Sequence, residues 1–200
     1  MADFEPAIIP LLASEGGYSD RSADRGGPTK YGISQKSYPG LDIKNLTVTQ
    51  AKAIYKKDYW DKIKGDKIKN QNTAYHIFDI AVNSGPGTAA KLTQQSLNQM
   101  GYTLAVDNAI GPLTLAALNT ANQAKFNDNL YNLRIKFYNA IVSKDASQMA
   151  NYNGWLNRAK AVIDQSFTAV ASQAKSPNTL AVLSIGLLAL YIFSKKQIGV

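Results

Sequence analysis

The 200-residue chain has no cysteine and only one histidine. Without cysteine there is no disulfide, no thiol nucleophile and no zinc–thiolate centre. That absence leaves the compartment open, because exported bacterial proteins also fold without disulfides. The lone His76 argues against a histidine-based metal site and against a Ser-His-Asp triad. It sits in Tyr75-His76-Ile77-Phe78, an apolar helical context, and reads as structural. No metal and no other cofactor is expected. The opening residues Met1-Ala2-Asp3-Phe4-Glu5-Pro6 carry acids where a secretory leader would be basic, so a conventional export signal is not expected. Acidic charge is in deficit too: 14 Asp and Glu against 22 Lys and Arg give a net charge of +8. Such a surface favours polyanionic partners, whether wall polymer, anionic lipid or nucleic acid. No block of consecutive like charges and no recognition motif points to nucleic acid, so nucleic acid is not expected as a partner.

What is present is apolar sequence with helical spacing. Hydrophobic residues make up 45% of the chain, enough for a core that needs no staples. Phe4, Ile8, Leu11 and Leu12 mark one face of an opening helix, with Glu15 at its C-terminal end and Gly16-Gly17 as the stop. Residues 18–34 are rich in Gly, Ser, Asp and Pro and read as irregular loop or a small hairpin. Thr47 and Gln50 have the spacing of a capping box, which starts a helix running to about Trp60. Further helices are expected near 71–83, 88–100, 112–121, 123–144 and 153–173, with Gly111-Pro112 opening one of them. The expected fold is mainly α: a lysozyme-like helical domain with a small irregular or β-hairpin active-site loop, plus a C-terminal transmembrane helix. The expected divisions are a catalytic lobe over 1–85, a helical lobe over 86–174 and a membrane helix over 177–194.

The membrane expectation comes from composition. Ser176 to Ser194 is an uncharged run of 19 residues, flanked by Lys175 and by Lys195-Lys196. As a helix it would cover about 28 Å, close to a bilayer core of about 30 Å. The run predicts a lipid bilayer as a partner through 177–194. It also predicts localisation on a virion or inner membrane, with the catalytic part facing the wall.

One segment concentrates the groups that sugar chemistry needs. Glycoside hydrolysis requires a carboxylic acid to protonate the leaving oxygen, and usually a second carboxylate as nucleophile or base. The first must stay protonated near neutral pH, which burial against apolar groups achieves. Glu15 fits by position, at the apolar edge of a helix opening onto a polar loop. The residues after it, Glu15-Gly16-Gly17-Tyr18-Ser19-Asp20 through Asp24 and Gly26-Gly27-Pro28-Thr29-Lys30-Tyr31-Gly32-Ile33, supply further carboxylates, hydroxyls and aromatic faces. Asn83 follows an apolar run at a Gly-Pro break and is a candidate substrate or water contact. Tyr18, Tyr31 and Trp155 are candidates for stacking on sugar rings, although the apolar neighbours of Trp155 also suit a core position. Arg134 and Arg158 are suited to a substrate carboxylate or to a structural acid, and the sequence does not choose.

These residues resemble the signature of glycoside hydrolase family 108, the lysozyme-like muramidases. The matching stretches are Glu15-Gly16-Gly17-Tyr18, Asp24, Gly26-Gly27, Thr29 and Tyr31-Gly32-Ile33. Downstream, Asp79-Ile80-Ala81-Val82-Asn83-Ser84-Gly85-Pro86 and Asp107-Asn108-Ala109-Ile110-Gly111-Pro112-Leu113-Thr114 are similar to later motifs of the family, the second often linked to peptidoglycan binding. Gly154-Trp155-Leu156-Asn157-Arg158 resembles its closing motif. Asn108 stands where glycine is common, a substitution that a left-handed turn tolerates. The resemblance implies a peptidoglycan hydrolase with Glu15 as general acid. Asp24 is the expected second carboxylate, Asp20 its reserve, and Thr29 the orienter of the attacking water. Tyr18, Asp20, Tyr31, Asn83 and Trp155 are the expected substrate contacts, and bacterial peptidoglycan is the expected partner. The expected reaction cleaves the β-1,4 bond between N-acetylmuramic acid and N-acetylglucosamine, in a phage lysin or virion-associated enzyme. The alternatives are a lytic transglycosylase, which needs one carboxylate and leaves an anhydro product, and an inactive membrane-anchored wall-binding protein.

Overall fold

The computed structural model describes residues 1–14, 18–20 and 27–164. Among these, seven α-helices and a two-stranded sheet appear in the order α1 (Phe4–Ser14), β1 (Thr29–Lys30), β2 (Ile33–Ser34), α2 (Val48–Tyr55), α3 (Gln71–Ser84), α4 (Pro86–Asn98), α5 (Pro112–Thr120), α6 (Gln123–Lys144) and α7 (Met149–Asp164). They cluster into two units. Among the described residues one comprises Met1–Ala7 with 53–164, and the other is Ile8–Lys52. Within the larger unit α3 packs with α4, α6 and α7.

Local chemistry sets the helix starts. Thr47 and Gln50 form the capping box: the Gln50 amide N–H donates to Thr47 Oγ1 at 3.2 Å, and Thr47 N–H donates to Gln50 Oε1 at 2.9 Å. Asn70 accepts from the N–H of Thr73 and Asn122 from that of Lys125, which caps α3 and α6. Pro86 and Pro112 sit at the first turns of α4 and α5, where a missing N–H costs nothing. The segment before α5 is a turn held by Gln94, which is 1% exposed. Its Nε2 donates to Asp107 Oδ1 at 2.7 Å and to the Ala109 carbonyl at 2.9 Å. Asn108, between them, is left-handed with φ 64°.

In the larger unit α3 is the central element: every residue from Thr73 to Ala81 is buried. Phe78 meets Phe4 and Trp60 edge-to-face, with ring centroids 5.9 and 5.5 Å apart, and Phe4 meets Trp60 at 5.7 Å. The chain reaches Trp60 through a π-helical turn, Lys56–Trp60, where the sequence predicts continued α-helix. Trp60 donates its indole N–H to Asp66. That bond is the main reason the Asp66 carboxyl is held below its ordinary range, with Lys56 adding to it. The backbone at Gly65 lies flat on the indole, so that a Cβ there would stand 2.2 Å from a ring carbon. In the smaller unit Ile8, Leu11, Ile33, Ile43 and Leu46 are buried.

The membrane expectation is corrected. No helix among the described residues is long and apolar enough to cross a membrane, and the expected span over 177–194 lies outside them. The described architecture is mainly helical with a small sheet and no transmembrane element. The expected localisation at a membrane and the bilayer partner therefore find no support among the described residues. The physical reason is that an uncharged run of bilayer length is necessary for a span but does not make one.

The Trp60–Gly65 contact gives a direct test. Gly65→Ala forces a methyl into a fully buried indole and is expected to destabilise the protein by ~1–3 kcal/mol. A lowered urea midpoint with an unchanged slope would show it.

Candidate active site

Four of the predicted site residues lie together in the smaller unit. The hairpin pairs Thr29 with Ser34 and Lys30 with Ile33, leaving Tyr31-Gly32 as a two-residue loop. Both loop residues have positive φ, 52° and 74°, as a type I′ turn requires. Glycine adopts this backbone freely, whereas a tyrosine rarely does. Holding Tyr31 there is the kind of local cost that clusters at functional sites. Lys30 lies over its ring at 5.6 Å and also donates to the Lys44 carbonyl at 2.9 Å, tying the strand to the loop that follows. Gln35 makes a second tie: its side-chain nitrogen donates to the carbonyls of Tyr38, Pro39 and Leu41.

Ser19 bridges to Thr29 through two backbone hydrogen bonds of 2.8 Å, adding a third short pairing to the hairpin. This brings Tyr18 and Asp20 to the same edge as Thr29. The Tyr18 hydroxyl donates to Asp20 Oδ2 at 3.2 Å. Lost hydration and then the Asp20 charge push the Tyr18 phenol above its ordinary value. Thr29 Oγ1 donates to the Gly27 carbonyl at 3.1 Å, so its proton is engaged and the oxygen keeps acceptor capacity. Glu15 and Asp24 lie outside the described residues.

Asn83 and Trp155 lie in the larger unit, and Tyr138 brings them together. Asn83 Nδ2 donates to the Tyr138 oxygen at 2.8 Å, and the Trp155 ring lies 5.3 Å from the tyrosine ring at 31°. Asn83 and Trp155 are both half-buried. Behind them is an ionic cluster. Arg134 donates through Nε to the same Tyr138 oxygen at 2.7 Å and through Nη2 to Asp79 Oδ2 at 2.6 Å. Arg158 Nε donates to the other carboxylate oxygen at 2.8 Å. The two arginines, open in the sequence between substrate and structural acid, therefore both serve Asp79. Tyr138 and the bridging role of Asp79 are not evident from local sequence. Their only trace is spacing: Asp79 to Asn83 and Arg134 to Tyr138 are each four apart, on one face of their helices.

His76 is 1% exposed on α3. Burial first, then the nearby Arg134 charge, holds its pKa down to about 3, against smaller opposing effects of Asp79 and Asn127. It is a neutral imidazole in the core and takes no part in proton transfer near neutral pH.

Residues 9–85 match the family described as Glycosyl hydrolase 108, and residues 88–160 match one described as Predicted Peptidoglycan domain. The chain is a glycoside hydrolase that acts on peptidoglycan. Its segment over 9–85 is of the glycosyl hydrolase 108 type, and a peptidoglycan-binding-like part follows it. Among solved structures it is similar to SagA from Brucella abortus, with 27% identity and a TM-score of 0.61, over 82% of this chain and 97% of that one. No curated protein matches.

Two outcomes are expected from the buried charges. Asp79→Asn leaves Arg134 buried without its counter-charge and should cost ~3–5 kcal/mol. Arg158→Gln should cost less, because the Arg158 side chain is 26% exposed; denaturant titration of both variants ranks them. His76 predicts an acid limit. Its folded pKa lies below the ordinary ~6.5, so between those values the unfolded chain binds the extra proton. Stability from this residue is complete above pH ~6.5 and is lost by up to ~1.4 kcal/mol per pH unit below it. Urea midpoints at pH 7, 5.5 and 4.5 should fall less steeply in His76→Leu than in the wild type.

Proposed function

We propose that the protein is an N-acetylmuramidase, which hydrolyses the β-1,4 bond between N-acetylmuramic acid and N-acetylglucosamine. Glu15 is its general acid, Asp24 its second carboxylate and Thr29 the residue that orients water. The observation that carries this reading is the hydrolase-family match across 9–85 on a hairpin that commits the Thr29 proton to Gly27. With that proton engaged, Thr29 Oγ1 accepts a hydrogen bond from water and turns a water lone pair away from itself, toward an electrophile. Glu15 gives its proton to the glycosidic oxygen as the bond to the anomeric carbon breaks. The anomeric carbon gains the water oxygen, and the second carboxylate takes the proton that water gives up. Tyr18, Asp20 and Tyr31 lie at the hairpin edge, where hydroxyl, carboxylate and ring face are the groups that bind sugars. Asn83 and Trp155 belong to the substrate surface of the larger unit in this reading, positioned by Tyr138. The segment over 86–174 serves to hold the wall.

The reaction is tested on purified peptidoglycan with mass analysis of the products. Wild type is expected to release muropeptides with reducing ends that incorporate oxygen from labelled water. Glu15→Gln should lower the rate by at least a hundredfold, and Thr29→Ala by about tenfold, within the range of positioned acid–base groups. Normal activity in Glu15→Gln would remove the acid assignment. Anhydro products from the wild type would replace hydrolysis by transglycosylation.

A further inference from the structure

A groove of about 610 Å³ runs between α6 and α7 and reaches the end of α4. It lies wholly within the larger unit and contains none of the site residues above. Helical periodicity builds it: Asn129, Asn132 and Lys136 fall on one face of α6, and Tyr152, Leu156 and Lys160 on one face of α7. Gln99 and Asn157 complete its rim.

Four side-chain amides gather in this lining: those of Gln99, Asn129, Asn132 and Asn157 make no hydrogen bond among the described residues. Several other amides are taken up by the fold: Asn70 and Asn122 cap helices, Gln94 locks a turn, and Gln35 stitches a loop. Four unengaged primary amides offer donors and acceptors to a ligand rich in amide groups. Lys136 is exposed and has no ion pair among the described residues, and no carboxylate lines the groove. Its cationic character therefore calls for an anionic ligand. Tyr131, Ile135 and Leu156, all half-buried, give an apolar floor suited to methyl side chains.

We propose that this groove binds the peptide stem of peptidoglycan, through its backbone amides, its alanine methyls and its free carboxylates. An uncharged glycan would satisfy the amides but leave Lys136 without a partner, whereas a stem peptide satisfies both. The inference rests on peptidoglycan as substrate and adds which part of it is held, and where.

The test titrates the full chain calorimetrically with a sugar-free stem pentapeptide. Saturable one-to-one binding is expected. Asn132→Ala combined with Lys136→Ala should weaken it at least tenfold, and Lys136→Glu alone should weaken it similarly. Lys91→Ala, an exposed lysine of α4 outside the groove, should leave it unchanged. All the substituted residues are exposed, and melting curves verify that each variant folds. Three results overturn the proposal: no binding by the wild type, equal weakening by Lys91→Ala, or equally tight binding of an uncharged N-acetylglucosamine tetramer. The stem peptide has no glycosidic bond, so binding and hydrolysis are read separately. Wall hydrolysis without stem binding removes the groove alone, and stem binding without hydrolysis removes the muramidase alone.

Discussion

The Asp79 carboxylate, 3% exposed, is shared by two guanidinium groups that reach it from α6 and α7. Burying any of these charges alone would cost several kcal/mol, and only their mutual contact at 2.6 and 2.8 Å makes the arrangement tolerable. That contact is a geometric constraint more than a source of stability. Each oxygen of the carboxylate takes one guanidinium, from α6 and from α7, so the two contacts tie both helices to α3. The consequence spreads outward. Arg134 holds the Tyr138 oxygen, and Tyr138 in turn sets the amide of Asn83 and faces the ring of Trp155. The same two helices present Asn132 and Asn157 to one groove.

This constraint explains which parts of the molecule could be read from sequence. Local devices were legible because their partners are three or four residues away. The Thr47–Gln50 capping box, the prolines opening α4 and α5, the left-handed Asn108 and the small hairpin all follow from short-range chemistry. The Asp79 cluster was not legible as a cluster. Its hydrogen bonds join residues 55 and 79 positions apart, a distance at which periodicity says nothing. The π-helical turn at Lys56–Trp60 was missed for a related reason: its cause is the burial of Trp60 against Phe4, Phe78 and Gly65, which is tertiary. The expected membrane run over 177–194 is read from composition alone and lies outside the described residues.

The motif residues divide by what they touch. Asp79, Arg158, Asp107 and Asn108 each belong to a signature-like stretch, yet each is engaged by the fold, in an ion pair or a turn. Thr29 and Tyr31 belong to such a stretch too, but their environment differs. Thr29 keeps acceptor capacity after satisfying Gly27, and Tyr31 stays in a backbone region that a bulky side chain avoids. A recurring letter in a motif therefore carries two meanings here, structural and chemical. Only the hydrogen-bond accounting separates them.

What distinguishes the groove amides is that several of them line one groove. A lone unengaged asparagine on a helix is ordinary, because water satisfies it at little cost. Three amides and a cation gathered along two facing helices, with a fourth amide at the end of α4 and an apolar floor, are different: each pays a side-chain entropy cost only when something orders it. A ligand that satisfies several at once recovers more than the sum of isolated contacts, since the helices already hold the groups in register. In α6 the inward face carries Arg134 and Tyr138 to the Asp79 cluster, and the neighbouring face carries Asn129, Asn132 and Lys136 to the groove. One helix, tied to α3 by one buried ion pair, thus supplies both the rigid interior and the surface left open for the wall.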